Sequence, residues 1–346
     1  MLGILALAAF IWWGGKILRW SATMRASLLL VIFVAVMALQ LTLPTGHPLR
    51  EATGGSPRPW LILAGFGLLA AGYAWLISGL KARAQPKAST MSESAPLFSE
   101  TELNRYARHI VLRELGGPGQ KKLKQARVLV IGAGGLGSPA LQYLAAAGVG
   151  TIGVIDDDLV ENANLQRQVI HRDEDIGVPK VFSAEAAMRA QNPAVEVRPY
   201  HRRLTAEIAE ELFAEFDLIL DGTDNFDTRY LVNETAVKLG KPLISGALSQ
   251  WEGQLSLFHP KSGGPCYQCI FPEAPAAGLA PSCSEAGVVG PLPGVVGAMM
   301  AVEALKALTG AGATLKGEML IYDALYGESR KIRLSNRADC PICEGK

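Results

Sequence analysis

The chain has 346 residues, 49% of them hydrophobic, and 33 Lys and Arg against 32 Asp and Glu give a formal net charge of +1. That balance leaves no clustered basic surface of the kind nucleic acid requires, so nucleic acid is excluded as the primary substrate. All five cysteines lie beyond residue 265, four of them in two Cys-x-x-Cys pairs; this argues against a secreted disulfide framework and for metal in a reducing compartment.

The first eighty residues carry five basic groups and one acid, Glu51. Three apolar runs divide them: Leu2 to Gly15, Ser27 to Leu43 (17 residues without a charge) and Trp60 to Leu80 (21 residues). A helix rising about 1.5 Å per residue needs about 20 apolar residues to cross the hydrocarbon layer. The last run meets that length and the second approaches it. No basic residue precedes the first run, so a signal peptide fits poorly. The expectation is a transmembrane region over 1–80 with about three helices. Lys16, Arg19 and Arg25 flank the first loop, and Lys81, Arg83 and Lys87 follow the last run. Positive charge is retained inside, which predicts a multi-pass protein of the inner (cytoplasmic) membrane with everything after residue 80 in the cytoplasm. Residues 81–99, rich in Ala, Ser and Pro, read as a linker.

The soluble part, 100–346, opens with a helical pattern from Glu100 to Glu114 capped by Ser99. Arg105, Arg108 and His109 fall on its polar side, where a solvated face is the plain reading. Val128-Leu129-Val130-Ile131 reads as a buried strand entering Gly132-Ala133-Gly134-Gly135-Leu136-Gly137, with a helix through Ala147 and a strand from Thr151 to Ile155. Glycines permit a tight turn and a close approach of phosphate to N–H groups at a helix start. Asp156, closing the second strand, stands where ribose hydroxyls are bound. Strand, glycines, helix, strand and acid in that order define a nucleotide-binding βαβ unit.

Further along, Lys180 begins the helix Val181 to Gln191, where a cation opposes the helix dipole unless an anion is near; a phosphate contact and a flexible surface lysine both fit. Leu218 to Leu220 is a third buried strand leading to Asp221-Gly222-Thr223-Asp224-Asn225. Asp224 is either a metal ligand at a strand end or a turn-forming residue. Pro242 to Ser245 is a fourth strand and Gly253 to His259 an antiparallel one. Gly297 to Leu308 is a core helix in which Val302, Leu305 and Leu308 recur on one face, and Glu318 to Leu334 is a hairpin around Tyr326-Gly327. The pairs Cys266/Cys269 and Cys340/Cys343 match the four thiolates of a tetrahedral structural zinc site, against a redox dithiol or bare core cysteines. Cys283 is unpaired, either a nucleophile toward an activated acyl group or an incidental thiol.

Arg105-Tyr106-x-Arg108-His109, the glycine loop, Asn164-Leu165-Gln166-Arg167-Gln168, Gly177-x-Pro179-Lys180, Asp221 to Asn225 and the two cysteine pairs occur together and in order. This set resembles the MoeB/ThiF/HesA group of ubiquitin-activating-like adenylyltransferases over residues 100–346, and within it molybdopterin-synthase adenylyltransferase. The resemblance implies an α/β fold: a Rossmann-like mixed sheet flanked by helices, with a structural zinc site, here preceded by an α-helical transmembrane region. It implies adenylation, with ATP and Mg2+, of the C-terminal glycine carboxylate of a ubiquitin-like sulfur carrier (MoaD-like or ThiS-like), pyrophosphate leaving. By the same resemblance Gly132, Gly134, Gly135 and Gly137 cradle ATP, Asp156 holds the ribose, and Asn164, Arg167 and Lys180 contact phosphates. Asp224 holds magnesium, Arg108 reaches the triphosphate of a neighbouring subunit in a homodimer, and Cys283 matches a loop cysteine that in some relatives forms a covalent link. No rhodanese-like extension follows Cys343, so a separate sulfur donor is expected. The rival from another class is an NAD-dependent oxidoreductase using the same glycines.

Overall fold

The computed structural model describes residues 2–84, 96–276 and 286–344. Two compact units divide the chain, Met1–Ser94 and Ala95–Lys346.

The first unit is helical: α1 (Leu2–Ile17), α2 (Ala22–Thr42), the short α3 (Pro48–Ala52) and α4 (Arg58–Ala84). Within it, Ala22–Thr42 and Arg58–Ser78 are long and apolar enough to cross a membrane by length and composition, and the helix Leu2–Ile17 is shorter. Many of their large apolar side chains face outward, Phe10, Leu30, Leu68 and Trp75 among them, whereas Val36 and Trp60 are buried. Polar contacts concentrate at the α2–α4 connection. Arg50 donates to Leu43 O (2.7 Å) and Gly55 O (3.2 Å), and the buried Gln40 donates to Thr53 Oγ1 at 2.7 Å. The bond to Leu43 O satisfies a carbonyl at the end of α2 that lacks an intrahelical partner.

The second unit is built on an eight-stranded sheet of order β3-β2-β1-β4-β5-β6-β7-β8. Its strands are β1 (Arg127–Ile131), β2 (Thr151–Ile155), β3 (Glu196–Tyr200), β4 (Leu218–Asp221), β5 (Leu243–Leu248), β6 (Glu252–Phe258), β7 (Glu318–Asp323) and β8 (Glu328–Arg333). The first five run parallel and the last three antiparallel, giving the mixed sheet. Strand β1 is apolar without alternation because both of its faces are covered. Val128 and Val130 pack with α8 (Gly137–Ala147), α9 (Lys180–Gln191) and α13 (Pro291–Thr309). Leu129 and Ile131 pack with α10 (Ala206–Ala214) and α11 (Phe226–Leu239) on the other side.

Two expectations need correction. The helix read from Glu100 to Glu114 breaks at Tyr106 into α5 (Glu100–Arg105) and α6 (Ala107–Ile110), and α7 (Gly116–Gln125) follows. The cause is the burial of Tyr106: its hydroxyl accepts from Asn192 Nδ2 at 2.8 Å, and its ring fills the space where a side chain at Gly148 would sit. In α13 the inward face is Leu292, Val296, Gly297, Met300, Ala301 and Ala304, whereas Val302 is 54% exposed and Leu305 and Leu308 only partly covered. The helix presses against the start of α8 so closely that a Cβ at Gly297 would lie 2.3 Å from Leu136 O. Gly297 is thus needed at the point of closest approach, while Leu292, Val296 and Met300 fill the rest of the inner face.

Candidate nucleotide site and cysteine cluster

The candidate site lies at the carboxyl ends of β2, β1 and β4, where open parallel sheets bind ligands. Gly132 takes φ +92°, a conformation that L side chains resist, and a Cβ at Gly137 would fall 1.9 Å from Gly132 O. The turn thus needs glycine at both ends. It delivers the chain into α8, whose first turn carries no acid, so the helix N-terminus remains attractive to an anion.

Asp156 is half-buried and supports this turn directly. Its Oδ2 accepts from Ala133 N at 2.7 Å and its Oδ1 from Asp158 N at 2.8 Å. Burial raises its pKa above the ordinary carboxylate value, opposed by those two backbone donors. Beyond β2, a 3-10 turn (Asn162–Asn164) leads to Arg167, whose Nη2 donates to Asn164 Oδ1 at 3.0 Å and whose Nη1 donates to Ala163 O at 3.2 Å. The Arg167 stem lies within 3.8 Å of the point a Gly135 side chain would occupy. Arg167 and Asn164 are therefore neighbours of each other and of the glycine turn.

Lys180, the first residue of α9, is almost wholly buried and its Nζ lies 2.6 Å from Asp158 Oδ2. On the β4 side, Gly222 packs against Leu136 and the Gly137 N–H. The buried Asp221 accepts from Thr223 N (3.0 Å), Thr223 Oγ1 (2.7 Å) and Ser245 Oγ (3.0 Å) and pairs with Arg229 Nη1 at 3.4 Å. Arg229 also donates to Gly246 O at 2.8 Å and to Thr223 O. This network fixes the loop carrying Asp224, which is exposed, while Asn225 caps α11 by accepting from Thr228 N at 2.8 Å.

The structure thus gathers the glycine turn, Asp156, Asn164, Arg167, Lys180 and the Asp224 loop around three adjacent strand ends. It does not bring Arg108 there. Arg108 sits on α6 beside His109, whose Nδ1 lies 3.1 Å from Gln120 Oε1, and Gln120 donates to Ala147 O at 2.8 Å. That places α6 at the far end of α8 from the turn. Cys283 lies outside the described residues. The sequence reading missed Asp158 as the partner of Lys180, the Asp221–Arg229 brace, and His171. Asp158 had a signal, since it stands in the acidic run closing β2; Arg229 and His171 had none.

The four remaining cysteines form a second centre. Cys266 precedes α12 (Tyr267–Ile270), and Cys340 and Cys343 return from the tail. Sulfur separations are 3.7 Å for Cys266–Cys269, 3.5 Å for Cys266–Cys340 and 3.4 Å for Cys269–Cys343, with all four buried. A tetrahedral ion with Zn–S bonds of about 2.3 Å holds its sulfurs about 3.8 Å apart, so this cluster has the size and donor set of a zinc site. Burial pushes the Cys266 thiol up. At Cys340 burial acts in the same sense, but backbone N–H groups of Cys343 and Ile342 outweigh it and bring the thiol down to about 7.

The sheet order and the glycine turn between β1 and α8 define a Rossmann-like α/β protein with a mixed sheet. Residues 106–342 match the model of the ThiF family, and the chain belongs to that family. It is 51% identical over 250 residues to the sulfur carrier protein adenylyltransferase of Thermus thermophilus, covering 71% of this chain and 92% of that one. It is 48% identical to the SAMP-activating enzyme E1 of Haloferax volcanii, covering 70% and 89%. Against the probable adenylyltransferase/sulfurtransferase MoeZ of Mycobacterium tuberculosis it is 50% identical, covering 72% of this chain and 64% of the relative. The chain is accordingly a nucleotidyltransferase of the adenylyltransferase type. Among solved structures, PaaA (TM-score 0.61, 24% identity, covering 75% of this chain and 81% of that one) and E. coli MccB with ATP (0.61, 22%, 69% and 74%) share the fold.

Proposed function

We propose that this enzyme adenylates the C-terminal glycine carboxylate of a small ubiquitin-like sulfur carrier, of the MoaD type used in molybdenum cofactor biosynthesis. The carboxylate attacks the α-phosphate of ATP; the new acyl–phosphate bond forms as the bond to pyrophosphate breaks. Both reactants are anionic, so neutralising charge and aligning the reactants dominate the barrier. The observation that carries the reading is the placement of Arg167 beside Gly135 and of Lys180 on Asp158, whose N–H is bound by the same Asp156 carboxylate that holds the glycine turn. Hydride transfer to a nicotinamide has no use for these two cations.

In this mechanism the N–H groups of Gly134, Gly135 and Gly137 receive phosphate oxygens, and Asp156 orients the ribose while keeping the turn in shape. Arg167, steadied by Asn164, faces the charge that develops as pyrophosphate leaves. Lys180 exchanges Asp158 for a phosphate. Asp224, carried on the loop that Asp221 and Arg229 brace, would hold a magnesium ion, which would supply neutralising charge for the phosphates. Arg108 acts from a neighbouring subunit, which makes a homodimer the working unit. Cys283 would act as a nucleophile toward the activated carrier, its thiolate forming a thioester with the acyl carbon as the bond to AMP breaks and AMP leaves. Cys266, Cys269, Cys340 and Cys343 would hold a structural zinc ion, which would tie the tail to the sheet domain. A separate donor supplies sulfur.

The N-terminal helices are proposed to anchor the enzyme in the cytoplasmic membrane. Basic flanks at Lys16, Arg19, Arg25 and Lys81 support a cytoplasmic catalytic domain.

The test is exchange of labelled pyrophosphate into ATP by the full chain with each candidate carrier. Exchange with the MoaD-type carrier supports the proposal. Exchange with a thiamine-pathway, ThiS-type carrier alone would overturn the choice of substrate, and nicotinamide turnover would overturn the chemistry.

A further inference from the structure

We infer that His171 is a positioning residue for the phosphate-binding turn, acting through the peptide between Ala133 and Gly134. The inference rests on the nucleotide reading above and adds a residue to it. His171 is 6% exposed. Its Nε2 lies 2.9 Å from Ala133 O and its Nδ1 2.8 Å from Ser183 Oγ, which in turn lies 2.7 Å from Asp175 Oδ2. A carbonyl oxygen only accepts, so Nε2 carries the proton and donates it to Ala133.

The consequence follows from peptide geometry. A trans peptide is planar, and its C=O and N–H point in opposite directions. Holding Ala133 O on the buried imidazole therefore aims the Gly134 N–H away from the interior, toward the side on which phosphate binds. The preceding peptide is fixed as well, because the Ala133 N–H donates to Asp156 Oδ2 at 2.7 Å. Two successive peptide planes are thus pinned, one by an acid at the end of β2 and one by the imidazole. Ser138 Oγ reaches the same carbonyl only at 3.3 Å.

The chain of contacts continues into α9. Ser183 lies one turn after Lys180, so Asp175, Ser183 and His171 join the helix that presents the phosphate-binding lysine to the turn that presents the amides. Two parts of one phosphate cradle are held in register by a single side chain.

The experiment uses the full chain with His171→Leu, which removes the donor, and His171→Gln, whose amide restores one. Three quantities are read: KM for ATP, KM for the carrier, and hydrogen exchange of the segment 132–137 without nucleotide. Loss of one hydrogen bond corresponds to a change of about tenfold. His171→Leu should raise KM for ATP by about that factor, leave KM for the carrier unchanged and speed exchange of the turn, and His171→Gln should recover most of each change. Unchanged turn exchange in His171→Leu would overturn the inference, as would equal defects in the Leu and Gln variants. If His171→Leu does not fold, Ser183→Ala takes its place, with faster turn exchange expected and unchanged exchange contradicting the proposal. Absence of carrier-dependent exchange in the unsubstituted chain would defeat the enzymatic reading alone, since turn exchange and binding of a fluorescent ATP analogue still decide the role of His171.

Discussion

Lys180 Nζ lies 2.6 Å from Asp158 Oδ2, with the lysine side chain 5% exposed and the aspartate 65% exposed. The asymmetry matters. A buried cation that faces an exposed anion is held ready to exchange that partner for a phosphate, and the anion loses little by returning to water. Replacing Lys180 by Met should lower carrier-dependent exchange by about a hundredfold, the usual effect of removing one charge-stabilising donor. Asp158→Asn should act mainly on KM for ATP. Pyrophosphate-exchange kinetics separate the two, and full activity in Lys180→Met would refute the assignment.

Asp221 and Arg229 form a buried pair, with side chains 1% and 6% exposed. Removing one partner of such a pair strands a charge and costs about 3–5 kcal/mol. Arg229→Met should therefore lower the unfolding midpoint markedly, whereas Asp221→Asn combined with Arg229→Met should recover part of the loss. Thermal unfolding of the full-length variants measures this; additive losses would show that the pair is not coupled.

Burial lowers the pKa of His171 below its ordinary 6.5. The unfolded state then binds more protons than the folded one as pH drops below 6.5, so stability is full above that value and declines as pH falls toward the folded-state pKa. His259, also depressed by burial, acts in the same sense. Comparing unfolding from pH 5 to 8 in the unsubstituted chain and in His171→Gln isolates one contribution; a variant with an identical pH slope would contradict it.

The four-sulfur cluster predicts one equivalent of zinc per chain by elemental analysis. Cys269→Ser should lose most of it and speed hydrogen exchange in the tail around Arg337–Cys343. Because thiolates must form to bind metal, zinc should be released as pH is lowered. A fully loaded Cys269→Ser variant would rule out this ligand set.

A chain beginning near residue 95, where the second compact unit starts, should remain folded and adenylate the carrier. It should no longer sediment with membranes. A folded but inactive truncation would show that the N-terminal helices contribute to catalysis rather than only to tethering.

Local chemistry determined much of this protein. The run Val128 to Ile131, the glycines with positive φ or no room for Cβ, and the Asp156 terminus were legible because adjacent residues set strand, turn and helix start. The cysteine pairs were legible because tetrahedral thiolate sites use short repeated spacings. The break at Tyr106 was not, since it depends on Gly148 and Asn192, far along the chain. The inward face of α13 was misread because it is set by a close approach of Gly297 to Leu136, a contact between segments far apart in the chain. Only the tertiary structure paired Lys180 with Asp158, set His171 beneath Ala133, and left Arg108 at the far end of α8. Those relationships join residues that folding brings together across separate strands and helices, and no local pattern encodes their distances.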